Sequence, residues 1–251
     1  MRAALPEAAV KPKIDLSGVS AERLAEMAEA GEEVVNVHRV LAKTGDNIVG
    51  EVLQGQGTFF EWDHYPKGDV YDPETRGQYY YHAHAVDQRF PGEHGHFHTF
   101  LRPDGMPTGV QPANVSDYVP TRDPNDALSH LIAVSMDKHG LPFRLFTVNR
   151  WVTGEVWYTA EDVIAMLDCF EIDHTKPSWA VNRWLSGIIR LFRPQIVDLI
   201  HKRDEVIAAW EEQHPDTNVF EDRGLEVTSY VDITIDDQVA AVRERLDAQA
   251  P

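Results

Sequence analysis

The chain has 251 residues, 43% of them hydrophobic, with 23 basic and 41 acidic residues for a formal charge of -18. That length and apolar content suffice for a large core without disulfides or a structural metal, and the single cysteine, Cys169, excludes an internal disulfide and points to a reducing, cytoplasmic setting. The negative charge disfavours nucleic acid as a partner, and no apolar run approaches the roughly 20 residues needed to cross a bilayer, so a soluble protein is expected.

The predicted organisation is a single domain over 1–251. A loose arm covers 1–16, a helix-plus-sheet region 20–158, and a mainly helical region with one late strand 159–251. Ser20 caps a helix running to Lys43, whose apolar positions Leu24, Met27, Val34, Val37 and Leu41 recur at helical spacing, and Gly45 stops it. Residues 44–78, with Phe59, Phe60, Trp62 and Tyr65 among glycines and prolines, read as an aromatic-anchored loop.

Two hairpins follow. Gln78–Ala85 and Glu93–Leu101 form one, turned at Pro91 and Gly92; Ser129–Asp137 and Phe143–Val152 form the other, turned at Lys138, His139 and Gly140. Thr159 with Asp162 opens a helix reaching Phe170, and Ser178 caps another over Trp179–Phe192, where Trp179 and Trp184 read as packing residues. Pro194 begins a third helix, a strand alternates from Leu225 to Ile235, and a last helix covers Asp236–Gln249. The fold class implied is α+β: an antiparallel sheet built from hairpins, with helices clustered in the C-terminal half.

Five of the 12 histidines fall between His82 and His98, where an even spread would place about one. Side chains two apart on a strand share a face, so His82 with His84, and His94 with His96 and His98, line up on two arms of one predicted hairpin. Imidazoles held on a sheet preorganise a site for iron, zinc or copper, and all five are candidate ligands. Glu93 is placed to orient an imidazole or to ligate, Tyr80 shares the His82 face, and His96 is a candidate for a direct chemical role.

His130 gains a place in the cluster if its strand neighbours the His94–His98 arm. Arg150, near the end of a predicted strand, is suited to anchoring a carboxylate-bearing substrate; a structural pair with Glu155 is the plainer expectation. A metalloenzyme, hydrolase or oxidoreductase, acting on a small molecule is the leading reading. A protein that sequesters or delivers a metal or haem is the second.

The run His94-Gly95-His96-Phe97-His98-Thr99-Phe100 resembles the histidine triad hydrolases and transferases, which implies His96 as a nucleophile for phosphoryl or nucleotidyl groups; Gly95 and Thr99 depart from that family's bulky apolar spacers. His82-Ala83-His84 resembles a cupin first motif, without its glutamate a few residues on. Over about residues 50 to 200, Asp69-Val70-Tyr71-Asp72, Tyr79–His84, Glu93–Phe100 and Leu145–Glu155 resemble a bacterial family of unknown function, which implies a bacterial source and no particular chemistry. Phosphate-cradling glycine loops and Cys-x-x-Cys pairs are absent from the sequence.

Overall fold

The structure, a computed structural model, describes residues 14–115 and 117–249. Residues 1–13 of the expected N-terminal arm lie outside them, and Leu16 is already buried against the core. Helix α1 (Ala21–Ala42) begins where the Ser20 hydroxyl accepts the Arg23 N–H at 3.2 Å, and its predicted stripe, Leu24, Met27, Val34, Val37 and Leu41, faces inward.

The stretch read as a loop holds two short elements. Helix α2 (Ile48–Leu53) is capped by Asn47, whose side chain accepts from Val49 and Gly50 N–H; its six residues are too few to display a helical period. Strand β1 (Tyr65–Tyr71) pairs Tyr65 with Tyr81 and Val70 with Tyr79, so most of its residues bulge out of register and erase the alternation that marks a strand. Its Pro66 is tolerable because β1 is an edge strand.

Strands β2 (Gly77–His82), β3 (Glu93–Leu101), β4 (Ser129–Asp137), β5 (Pro142–Val148) and β6 (Val227–Asp232) complete a six-stranded antiparallel sheet in chain order, an α+β fold as expected. The β5 arm stops at Val148 rather than Val152. Asn149 accepts the Arg150 N–H and opens the one-turn helix α3 (Arg150–Thr153), which Gly154 ends at φ 66°.

The C-terminal half supplies α4 (Ala160–Met166), α5 (Trp179–Leu191), α6 (Arg193–Gln213) and α7 (Ile235–Asp247). Thr159, Ser178 and Thr234 cap three of them, and α5 abuts α6 at Phe192 with Pro194 in the first turn of α6. Among the described residues no helix is long and apolar enough to cross a membrane.

One face of the sheet carries the core. Trp184 of α5, fully buried, lies 5.7 Å from the Phe97 ring, and Tyr79 Oη donates to Asn182 Oδ1 at 2.6 Å. Burying each such aromatic contributes roughly 2 to 3 kcal/mol. Trp179, expected beside it, is instead exposed at the start of α5. The opposite face holds the histidines.

Candidate metal centre

Pairing within the sheet brings the histidines together. His82 of β2 stands opposite His96 of β3, and Tyr80 opposite His98, so these side chains share the face away from Trp184. His84, just past the end of β2, keeps to the same group, its ring 4.9 Å from that of His82 and 5.1 Å from that of His96. All four imidazoles are buried.

Two β-bulges decide the remaining membership. Between Glu93↔Asp137 and Gly95↔Met136 there is one residue too many on β3, and that residue is His94. The bulge rotates Glu93 onto the histidine face and turns His94 away, where it meets Tyr81 Oη at 2.7 Å and the Phe59 ring at 5.5 Å. The expectation that all five histidines converge therefore fails at His94. A second bulge, where Thr99 pairs with Ile132 but Phe100 with His130, leaves Leu131 as the extra residue and swings His130 onto the histidine face.

Hydrogen bonds fix the rings. His96 Nδ1 contacts Glu93 Oε1 at 3.1 Å; that carboxylate also accepts from Ser135 Oγ at 2.6 Å and from the Phe90 N–H at 3.2 Å. A carboxylate there accepts the Nδ1 proton and leaves Nε2 as a lone pair, the arrangement found behind metal-bound histidines. That Nε2 faces His82 Nε2 at 2.8 Å. His98 Nδ1 meets His130 Nε2 at 3.0 Å, while His98 Nε2 is buried without a hydrogen-bond partner.

Electrostatics agree with this picture. Burial, then neighbouring imidazoles, push the pKa of His82 down and that of His98 well below the ordinary value; burial, then Arg203 and His96, take His130 to about 3. Burial alone would raise Glu93, but the His96 ring, Ser135 and the Phe90 N–H outweigh it and hold the carboxyl at about 2. Burial thus favours the neutral form of His82, His98 and His130, beside one ionised carboxylate.

This donor set fits a transition metal. One ligand nitrogen from each of His82, His96 and His98 lies within 4.8 Å of the other two. The 2.8 Å spacing of the paired Nε2 atoms approaches the roughly 3 Å between adjacent nitrogens bound to one ion at about 2.0–2.1 Å. An orphaned, buried Nε2 on His98 is costly unless something accepts its lone pair.

A cavity of about 470 Å³ opens beside the cluster. His82 belongs to both, joined in the lining by Tyr80 and His84. Trp62, Trp151 and Val152 give the cavity apolar walls, and His64, Gln88 and Glu226 add polar groups. A family model described as a domain of unknown function (DUF6969) matches residues 28–233. The chain belongs to the DUF6969 family. The match is wider than the 50–200 resemblance and contains both histidine-bearing segments. No curated protein and no solved structure matches the chain.

Within this DUF6969 chain, the remaining predicted site residues fall as follows. Tyr80 sits in the cavity lining, its ring 3.6 Å from that of His64 and 5.2 Å from that of His98. Arg150 is elsewhere. Its guanidinium donates to both carboxylate oxygens of Asp117 and to Glu221, stacks on Phe220, and is not among the cavity-lining residues. It has no donor pointed at the site and pairs with Asp117 and Glu221 rather than Glu155.

Sequence reasoning missed His64, Trp62, Trp151 and Glu226, which come from loops and α3 and carry no periodic signal. It also missed what Glu155 does. That carboxyl is buried beneath His130, accepts the His130 N–H at 2.6 Å, and is pushed up to about 8 by burial, against the pull of Arg203 and of that hydrogen bond.

Because its folded pKa lies above the ordinary value of 4.5, its contribution to stability is complete below about pH 4.5 and is lost as pH rises through about 8. Glu155→Gln keeps an oxygen for the His130 N–H and removes the ionisation. Thermal melts from pH 6 to 9 should show the wild type losing a few kcal/mol that the variant retains. Parallel declines would show that Glu155 does not titrate in the fold.

Proposed function

We propose that this protein binds one divalent transition metal, iron, zinc or copper, through His82, His96 and His98, and uses it as a cytoplasmic metalloenzyme acting on a small molecule in the adjoining cavity. The observation that carries this reading is the buried cluster of imidazoles with Glu93 behind His96, His130 behind His98 and a partnerless His98 Nε2. A bound ion there supplies a Lewis acid that polarises an oxygen and acidifies a bound water.

Glu93 and His130 hold the two imidazoles in the tautomers that leave their Nε2 atoms for an ion. His82, which is both in the cluster and on the cavity wall, favours turnover over sequestration or delivery, because it puts the ion within reach of a ligand. The histidine-triad reading is less well supported: His96 Nδ1 is committed to Glu93 and its Nε2 faces another imidazole, so no ring nitrogen stands free as a nucleophile.

Metal emission spectroscopy on protein purified without chelator, or reloaded with one equivalent of zinc or iron(II), is expected to find about one ion per chain. His96→Ala and His98→Ala should each lose it, and His94→Ala should keep it because its ring points to Tyr81. Retention of the ion by both of the first two variants would sink the proposal.

A further inference from the structure

The composition of the cavity selects among ligands. Among the described residues lining it there is no lysine or arginine, and its one formal charge is the half-buried carboxylate of Glu226. Of the two arginines nearby, Arg89 is paired outside the lining and Arg223 rests on a lining ring. Arg89 donates to Glu61 at 2.7 Å and to the His84 carbonyl, and Arg223 lies 4.3 Å over the Trp151 ring without reaching the lining.

The two indoles are held in place. Trp151 donates its Nε1–H to the Leu225 carbonyl at 2.8 Å, which fixes its ring with one face under Arg223. Trp62 sits at φ 72°, a left-handed conformation that a bulky side chain adopts only at a cost of about 1 kcal/mol or more. Its N–H donates to Ala83 O at 2.8 Å, and its indole stacks on His84 at 4.3 Å while remaining 54% exposed. Strain spent on holding an exposed tryptophan at a cavity beside a histidine cluster is accounted for by a ligand that needs a flat apolar surface.

The geometry points to a flat aromatic molecule bearing an amine as the occupant, its ring against Trp62 and Trp151 and its ammonium at Glu226. An ammonium gains the carboxylate and the π faces of the indoles, and the protein's charge of -18 draws cations toward the surface. In the metal-free protein a carboxylate or phosphate ligand finds no lysine or arginine in the lining and is repelled by Glu226. A volume of about 470 Å³ is ample for a single ring with a short side chain. That this ligand is a substrate rests on the metal reading above; its binding to the cavity does not.

The test uses the full chain, freed of metal by chelator, with 2-phenylethylamine and phenylacetate compared by titration calorimetry. The amine is expected to bind about 10-fold or more tightly than the acid, the scale of one charge-assisted contact. Glu226→Gln should erase most of that preference. Trp62→Gly, which relieves the backbone because glycine accepts positive φ freely, should weaken the amine several-fold without loss of fold. Equal or tighter binding of the acid, no binding of the amine, or full affinity in both variants would overturn the inference. Because the ion is absent throughout, a protein that holds zinc but ignores the amine fails this test alone, and one that binds the amine but no metal fails only the earlier proposal.

Discussion

Metal-free protein is expected to lose on the order of 5 kcal/mol of stability between pH 6.5 and 4.5, enough to unfold a domain of ordinary stability. The cause is the buried set His82, His98 and His130, whose folded pKa values lie below the ordinary 6.5. In that window the unfolded chain takes up protons that the folded chain cannot, so stability falls as pH falls. Each imidazole that stays neutral forfeits about 1.4 kcal/mol per pH unit.

Glu155 works in the opposite direction. Its folded pKa of about 8 means that acidification restores its contribution, which offsets roughly one of the three histidines over the same two pH units. Glu93, held at about 2, stays charged in the fold across the window, and its contribution starts to be lost only near the lower edge, as the unfolded carboxyl protonates below about pH 4.5. Urea denaturation at half-unit pH steps, with chelator present, measures the net effect. A free energy unchanged from pH 7 to 4.5 would mean that the imidazoles are solvated or already charged in the fold. Adding zinc should move the acid midpoint downward, because an ion that binds only the folded state stabilises it by mass action and competes with protons for the same nitrogens.

How far this site was legible in the sequence depends on which physical signal each residue carried. The caps Ser20, Thr159 and Ser178 and the apolar stripe of α1 are local features, and they reappear as predicted. The period-two spacing of His96 and His98 likewise survives in the sheet, and His84, just past β2, stays beside His82. His94 follows the same spacing and yet points elsewhere, because one bulged residue reverses the parity of everything before it. His130 enters by the same device on β4. Bulges of this kind have no signature in a single sequence, and neither does the meeting of Trp62, Trp151 and Glu226, which lie far apart in the chain and are joined only by the course of the loops.

Gly95 shows how a residue that looks like a blemish in a motif can be a requirement of the packing. In the run His94-Gly95-His96 a glycine replaces the bulky spacer of the histidine-triad pattern, and a strand interior is an unfavourable place for it. A Cβ added at Gly95 would lie 2.5 Å from the His82 carbonyl oxygen and 2.6 Å from Tyr81 Oη. The first obstacle is backbone of the neighbouring strand and cannot swing aside. The second is a fully buried ring packed 4.9 Å from Phe97, with its hydroxyl on His94.

Gly95→Ala must therefore push β2 away from β3 at the very pair, His82 opposite His96, that sets the 2.8 Å spacing of the ligand nitrogens. A loss of about 3 kcal/mol or more is expected from this overpacking, together with at least about 10-fold weaker metal retention, since ligand placement tolerates only a few tenths of an ångström. Gly18→Ala is the matched control: a Cβ added there would meet no atom within 4 Å, and its effect should stay within about 0.5 kcal/mol. If Gly95→Ala melts and holds metal as the wild type does, the β2–β3 spacing is not what organises the site, and the case for His82 as a ligand goes with it.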